Sequence, residues 1–188
     1  MNLPNTPTAL IIIDMQIGMS LPTAGERNNP TAEKNIATLL TLWRQEKQPI
    51  IHIRHISRSL NSSFYPNQPS ADFQPELAPL PHEHVVEKNV PDAFIQSGLE
   101  RWLHQRNIKS LVIVGVSTNN SVEATVRSAG NLGFNTIVIN DATFAFAKHD
   151  YSGRPRTAEE VHDMSLANLD DEYAKIMTTE KLIKDMEK

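Results

Sequence analysis

The sequence predicts an α/β fold, a doubly wound three-layer αβα arrangement around a six-stranded, mostly parallel sheet. Short apolar runs alternate with longer amphipathic stretches along the chain, a pattern typical of repeated βαβ units. Three of the apolar runs also end at a charged or polar residue. Right-handed crossovers between parallel strands then place helices on both faces of the sheet.

The elements follow from this alternation. The expected strands are the apolar runs at residues 8–13, 49–54, 84–87, 110–115, 135–139 and 174–177. The expected helices are the amphipathic stretches at residues 31–46, 96–106, 120–132, 157–169 and 179–187. Pro30 and Thr31 are suited to open the first helix. Thr157 and Glu160 have the spacing of a capping box, and Gly133 is a stop signal for the third helix.

Residues 56–83 interrupt the pattern and contain five prolines, Pro66, Pro69, Pro75, Pro79 and Pro81. A connection this long inside a compact domain is usually functional or disordered. Because Phe64, Tyr65 and Phe73 supply apolar groups to bury, we predict an ordered flap, the name used below for residues 56–83.

Bulk composition limits the class of protein. The 188 residues fit a single domain, 1–188, with one sizeable core. Eighteen basic and 22 acidic side chains give a net charge of −4, so we expect no nucleic-acid partner. The sequence shows neither a secretory signal nor an apolar run of about 18 residues, so we expect a cytoplasmic protein with no membrane partner.

Three polar residues follow predicted strands. Asp14 follows the first strand and Lys88 follows the third, while Ser121 follows the fourth strand after a short turn. Carboxyl ends of parallel strands converge on one crevice, where open α/β folds bind ligands. Taken singly, Asp14 fits a turn cap and Lys88 a solvated surface residue. Ser121 fits a helix start beside an Asn120 to Glu123 capping box. Together they predict a catalytic site.

Three sequence blocks also resemble the isochorismatase-like hydrolases: Ile-Ile-Asp-Met-Gln at 12–16, Glu-Lys-Asn-Val-Pro-Asp-Ala-Phe at 87–94, and the stretch from Gly115 to Ala129. The blocks occur in the family's order, and the resemblance spans about residues 8–178. It implies a doubly wound α/β hydrolase. Many members use an Asp, Lys and Cys triad on small amides, ureides or nicotinamide-like substrates.

The resemblance implies a catalytic role for each residue of the site. Asp14 is then the general base, Lys88 the cation that holds its partners in place, and position 121 the nucleophile. The family has Cys there, whereas this chain has Ser121 and no cysteine. A hydroxyl is far less acidic than a thiol of pKa about 8.5, and Asp is a poorly matched base for it. An engineered Cys to Ser change, a natural Ser variant with altered chemistry, and a homologue that has lost activity all remain open.

The resemblance also implies a cis peptide at Val116-Ser117. The backbone N–H groups of Ser117 and Ser121 then form an oxyanion hole. We assign substrate contacts to six further side chains: Gln16, His55, Phe64, Phe94, Asn119 and Tyr151.

A metal site is not expected. Metal-binding relatives carry an Asp and two His after the second strand, whereas this chain has His52 and His55 with no Asp beside them. His52 and Arg54 share one strand face, while His55 ends the strand beside the pocket. We therefore expect no cofactor.

The resemblance thus implies a metal-independent hydrolase of a small amide, ureide or related C–N bond. Two alternatives stay open: an isochorismatase-type vinyl-ether hydrolase, which manages without the Cys, and a metabolite-binding pseudoenzyme. The expected partners are a small-molecule substrate and further copies of the chain, in a homo-oligomer that is a dimer or tetramer.

Overall fold

The structure is a computed structural model that describes residues 7–187. Its strands are β1 Thr8–Ile13, β2 Ile50–His55, β3 His84–Lys88, β4 Ser110–Val116, β5 Asn135–Phe144, β6 Lys148–His149, β7 Pro155–Arg156 and β8 Lys175–Met177. Its α-helices are α1 Ala32–Gln45, α2 Leu99–Gln105, α3 Glu123–Asn131, α4 Ala158–Leu169 and α5 Thr179–Met186. No helix within residues 7–187 is long and apolar enough to cross a membrane.

Six strands form one sheet in the order β3-β2-β1-β4-β5-β8. Every pairing in this sheet is parallel, while β6 and β7 form a separate antiparallel hairpin. The chain winds outwards from β1 to β3 and then returns to β4 on the other side of β1. The predicted fold class is confirmed, and the winding direction reverses between β1 and β4, where such folds bind ligands.

The sheet is buried on both faces, as β1 shows. Alternate β1 residues, Ala9, Ile11 and Ile13, belong to a core shared with α2, α3 and α4. Leu10 and Ile12 belong to a second core, shared with α1 and α5. All six residues of β1 are buried, which is why its sequence is a continuous apolar run rather than an alternating one.

Two helices begin differently from the prediction. The helix expected from residue 96 begins at Leu99, because Gln96 and Gly98 adopt left-handed backbone angles with φ of 54° and 75°. The helix expected from residue 120 is a π-helical turn over Thr118–Val122 followed by α3. By contrast, Thr157 and Glu160 form the predicted capping box of α4.

The Asn120 to Glu123 capping box is absent, because the Glu123 carboxylate has other partners. It accepts a hydrogen bond from Ser165 on α4 at 2.7 Å and one from Arg127 at 2.8 Å. Strand β5 also continues past residue 139 to Phe144, with a register shift opposite Ile113 and Gly115 of β4.

The flap packs against the end of β1. Gln16 and Phe73 form an isolated antiparallel β-bridge. Ala71 and Leu77 are buried in short 3₁₀ turns. At the end of the flap, Glu83 accepts hydrogen bonds from Arg44 at 2.7 Å and bonds His52 at 2.9 Å. Burial opposes ionisation of Glu83, but these hydrogen bonds lower its pKa to about 2.

Gly115 lets β4 approach β1 at the point where the chain leaves the sheet. Its φ is 118°, and a Cβ there would lie 2.1 Å from the Ile13 carbonyl oxygen. No side chain fits at this distance. The residue after Ile13 is Asp14, so this close approach helps to set the spacing between Asp14 and the turn that follows β4.

We therefore expect Gly115→Ala to destabilise the fold by about 3 kcal/mol or more, because it combines backbone strain with overpacking. Gly133→Ala is the matched control: its φ is 83° and nothing lies within 4 Å of a Cβ there, so strain alone predicts about 1–2 kcal/mol. Urea denaturation measures both variants. Equal losses of stability in the two variants would show that the close contact with Ile13 adds nothing to the cost of a side chain at position 115.

Candidate active site

Asp14 leaves β1 with a left-handed backbone, φ 51°, which is uncommon for a residue with a side chain. Its N–H still donates to the Ile53 carbonyl of β2 at 3.0 Å. The next turn is closed by the Gln16 N–H, which donates to the Asp14 carbonyl at 2.7 Å. These bonds fix the Asp14 backbone, and its carboxylate is buried, with 1% of the side chain exposed.

Lys88 joins the other two predicted catalytic residues. Its Nζ donates to Asp14 Oδ2 at 2.6 Å and to Ser121 Oγ at 3.2 Å. None of the Lys88 side chain is exposed, and Ser121 is buried. The structure therefore brings together the Asp14, Lys88 and Ser121 side chains that the sequence analysis grouped.

The electrostatics of Asp14 combine two opposing effects. Burial raises its pKa, while Lys88, the Ser121 hydroxyl and His55 act to lower it; burial wins, so the pKa lies above the ordinary value of 3.8. Asp14 Oδ1 is buried and accepts no hydrogen bond from the described part of the chain. Since buried polar atoms are normally partnered, this oxygen is suited to exchange a proton with an arriving group.

Helix α4 supports the turn that carries Ser121. The Ser165 hydroxyl donates to the Thr118 carbonyl at 2.9 Å, and the Thr118 hydroxyl bonds His162 Nδ1 at 2.8 Å. Burial lowers the pKa of His162, which favours its neutral form. The Val116-Ser117 peptide at the start of the turn is cis.

Sequence reasoning missed this support from α4. Both His162 and Ser165 are buried, and they lie at helical spacing with the apolar Ala158, Leu166 and Leu169 of the same helix. Polar residues on the buried stripe of an amphipathic helix need hydrogen-bond partners. Buried polar residues on this helix face could therefore have predicted the hydrogen bonds between α4 and the turn that carries Ser121.

Gln16 does not serve as the substrate contact assigned to it. Its Nε2 donates to the His55 carbonyl at 3.0 Å and to the Ala71 carbonyl at 2.7 Å, and its Oε1 accepts from the His55 N–H at 2.9 Å. The amide is fully buried, with both of its polar atoms bonded. It joins the ends of β1 and β2 to the flap.

His55 and Phe64 lie together next to the catalytic residues. The His55 and Phe64 rings meet edge to face, with centroids 6.1 Å apart. His55 interacts electrostatically with both Lys88 and Asp14. Their assignment as substrate contacts stays a prediction.

The remaining substrate-contact assignments fare differently. Phe94 stacks on Phe134, with ring centroids 5.8 Å apart, and packs against a core cluster. Phe134 precedes β5, at the end of the sheet opposite the catalytic residues, so the partly buried Phe94 packs there rather than beside them. Tyr151 is fully exposed between β6 and β7, so its assigned substrate contact stays a prediction. Asn119 borders a cavity of about 820 Å³ beside α4.

The metal-binding pattern of an Asp and two His after the second strand does not fit these residues. His52 is fully buried and bonds Glu83, whereas His55 interacts with Lys88 and Asp14. No group of three or more His, Asp or Glu residues within residues 7–187 is arranged to hold a metal ion.

A six-stranded parallel sheet with helices on both faces is the α/β fold of isochorismatase-like structural neighbours. The chain belongs to the isochorismatase family: residues 8–181 match the Isochorismatase domain. It is 40% identical over 177 residues to the isochorismatase family protein YrdC of Bacillus subtilis strain 168, covering 94% of this chain and 95% of YrdC. A crystal structure of an isochorismatase family protein from Chromobacterium violaceum ATCC 12472 superimposes with a TM-score of 0.95 at 46% identity, covering 100% of this chain and 97% of that one.

Two further relatives carry names that state an activity. Nicotinamidase 3 of Arabidopsis thaliana is 26% identical over 195 residues, covering 95% of this chain and 89% of the relative. The ureidoacrylate amidohydrolase RutB of Cronobacter sakazakii strain ATCC BAA-894 is 40% identical over 68 residues, covering 36% of this chain and 29% of RutB.

Lys88→Met should make stability depend on pH. It leaves the Asp14 carboxylate buried without its cation, so the already raised pKa of Asp14 rises further. The folded state then holds a proton that the unfolded state has released. Stability is therefore retained below the unfolded pKa of about 3.9 and is lost as the pH rises through the folded value. We expect a loss of about 3–5 kcal/mol at neutral pH, measured by urea denaturation across pH.

The double variant Asp14→Asn, Lys88→Met is the control, because an amide cannot ionise. Its stability should lack the pH dependence that Asp14 contributes, while other shifted groups contribute equally to both variants. If the two variants have the same pH profile, the Lys88 ammonium does not govern the ionisation of Asp14.

Proposed function

We propose that this chain hydrolyses a small amide-type C–N bond through Asp14, Lys88 and the residue at position 121. The observation that carries the proposal is the buried Lys88 ammonium, which donates at once to Asp14 at 2.6 Å and to Ser121 at 3.2 Å. A base, a cation and a nucleophile position in mutual contact are the parts that covalent hydrolysis of an acyl bond requires. Nicotinamidase 3 and RutB, both named for amide substrates, support an amide-type bond.

The reaction proceeds in two halves. The nucleophile gives its proton to Asp14 and attacks the carbonyl carbon, while the Ser117 and Ser121 N–H groups stabilise the oxyanion. The C–N bond then breaks, and the proton on Asp14 passes to the departing amine or ammonia. Water finally releases the acyl group from residue 121. Throughout, Lys88 orients the nucleophile and keeps a cation beside the Asp14 carboxylate.

Oxygen at position 121 makes the first half slow. A thiol near a cation loses its proton readily, whereas a serine hydroxyl needs a stronger base than a carboxylate. We propose that the sulfur form is the faster nucleophile on this scaffold.

We expect Ser121→Cys to raise kcat/KM on a panel of small amides and ureides, including nicotinamide, by about 10²-fold or more over the present chain. Ser121→Ala is the matched control and should be inactive in covalent hydrolysis. Ammonia release measures all three proteins. If the cysteine variant turns over no member of the panel and forms no acyl adduct, position 121 is not a nucleophile.

One observation favours a second candidate, hydrolysis of a vinyl ether. The pKa of Asp14 is raised by burial, which suits a proton donor, and this reaction needs no nucleophile at position 121. Pyruvate release from isochorismate tests it. This candidate predicts turnover that survives Ser121→Ala and is lost in Asp14→Asn, whereas the covalent route predicts loss in both. Binding without turnover of either substrate class would indicate a metabolite-binding pseudoenzyme.

A further inference from the structure

His55 lies beside the catalytic cation in the sheet itself. It ends β2 and pairs directly with Lys88 in the parallel ladder between β2 and β3. Directly paired residues on neighbouring strands present their side chains on the same face of a sheet. The imidazole is therefore one strand away from the ammonium that contacts Asp14 and Ser121.

The protein holds His55 from two sides. The Gln16 amide bonds both its N–H and its carbonyl, at 2.9 and 3.0 Å, and this amide is fully buried. The Phe64 ring packs edge to face against the imidazole, with an interplanar angle of 83°. The clamp fixes the strand end, and the aromatic contact restrains the ring.

The ring nitrogens of His55 differ from those of the buried histidines. His52 bonds Glu83 at 2.9 Å and His162 bonds Thr118 at 2.8 Å, so each has a structural partner. The His55 imidazole is half-buried, and among residues 7–187 no side chain or backbone group bonds either ring nitrogen. It can therefore bond a water molecule or a substrate group.

We infer that His55 is the general base that activates the hydrolytic water in the second half of the reaction, a step that rests on the proposed function. A water O–H proton moves to the imidazole as the water oxygen bonds the acyl carbon. The tetrahedral intermediate collapses, the bond from that carbon to residue 121 breaks, and the imidazolium returns the proton to residue 121. The products are a carboxylic acid and the regenerated side chain.

The charges around the imidazole suit this role. Burial lowers the pKa of His55 and the Lys88 ammonium lowers it further, against the opposing Asp14 carboxylate. The ring is therefore neutral at pH 7 and able to accept a proton. Water activation should fail as the pH falls through the His55 pKa, which lies below 6.5.

The test uses p-nitrophenyl acetate as the acyl donor and measures acylation and deacylation of residue 121 separately. The full-length Ser121→Cys chain is compared with the same chain carrying His55→Gln or, should that fold poorly, His55→Asn. His82→Gln is the matched control, since His82 is exposed and no catalytic role is assigned to it. Burst release of p-nitrophenolate reports acylation, and the acetyl mass on residue 121 reports deacylation.

We expect His55→Gln to keep the burst and to slow deacylation by about 10²-fold, so that acetyl-enzyme accumulates. Added imidazole should restore part of the rate, and the acid limb of the deacylation profile should disappear. Deacylation at the parent rate, or an equal loss of both phases without rescue, would overturn the inference while leaving the nucleophile in place. If residue 121 never acquires an acetyl group, the proposed function fails and the inference fails with it.

Discussion

The candidate site depends on the buried ion pair between Lys88 and Asp14. Placing both charges out of water carries a desolvation penalty of several kcal/mol per ion, which mutual attraction recovers only with good geometry and further hydrogen bonds. The 2.6 Å contact between Lys88 Nζ and Asp14 Oδ2 supplies the geometry, and Ser121 accepts the further hydrogen bond. Yet Asp14 Oδ1 remains unpartnered among the described residues. An arrangement selected for stability alone would satisfy that oxygen, so the pair is better explained by chemistry.

The backbone next to this ion pair is also unusual. Asp14 has a left-handed backbone, and Gly115 has no space for a Cβ against Ile13. Both lie where β1 and β4 end side by side. Unusual backbone angles persist only where the surroundings enforce them, and they concentrate at functional sites. Here the two buried cores on either face of β1 provide that enforcement, since they hold the strand ends rigidly in place.

The sequence predicted much of this because its strongest signals are local. The apolar runs mark β1 and β4, and the polar residues at their ends follow from the convergence of parallel strands. What it could not predict depends on contacts between distant segments. Gln16 looked like a substrate contact, yet its amide joins His55 to Ala71 of the flap. Phe94 looked like a pocket wall, yet Phe134 covers its ring. Helix α2 starts late because of left-handed residues that no periodicity reveals.

The division of labour between Asp14 and His55 follows from how many protons covalent hydrolysis must move. One proton leaves the nucleophile and one leaves water, at different times and at different places around the acyl carbon. A carboxylate bonded to an ammonium is suited to the first transfer, because Lys88 aligns it with residue 121. Because its position is set by residue 121, the second transfer is assigned to a separate base. The neutral His55 imidazole lies on the strand next to Lys88, and Gln16 holds its backbone. It meets the second need without disturbing the ion pair.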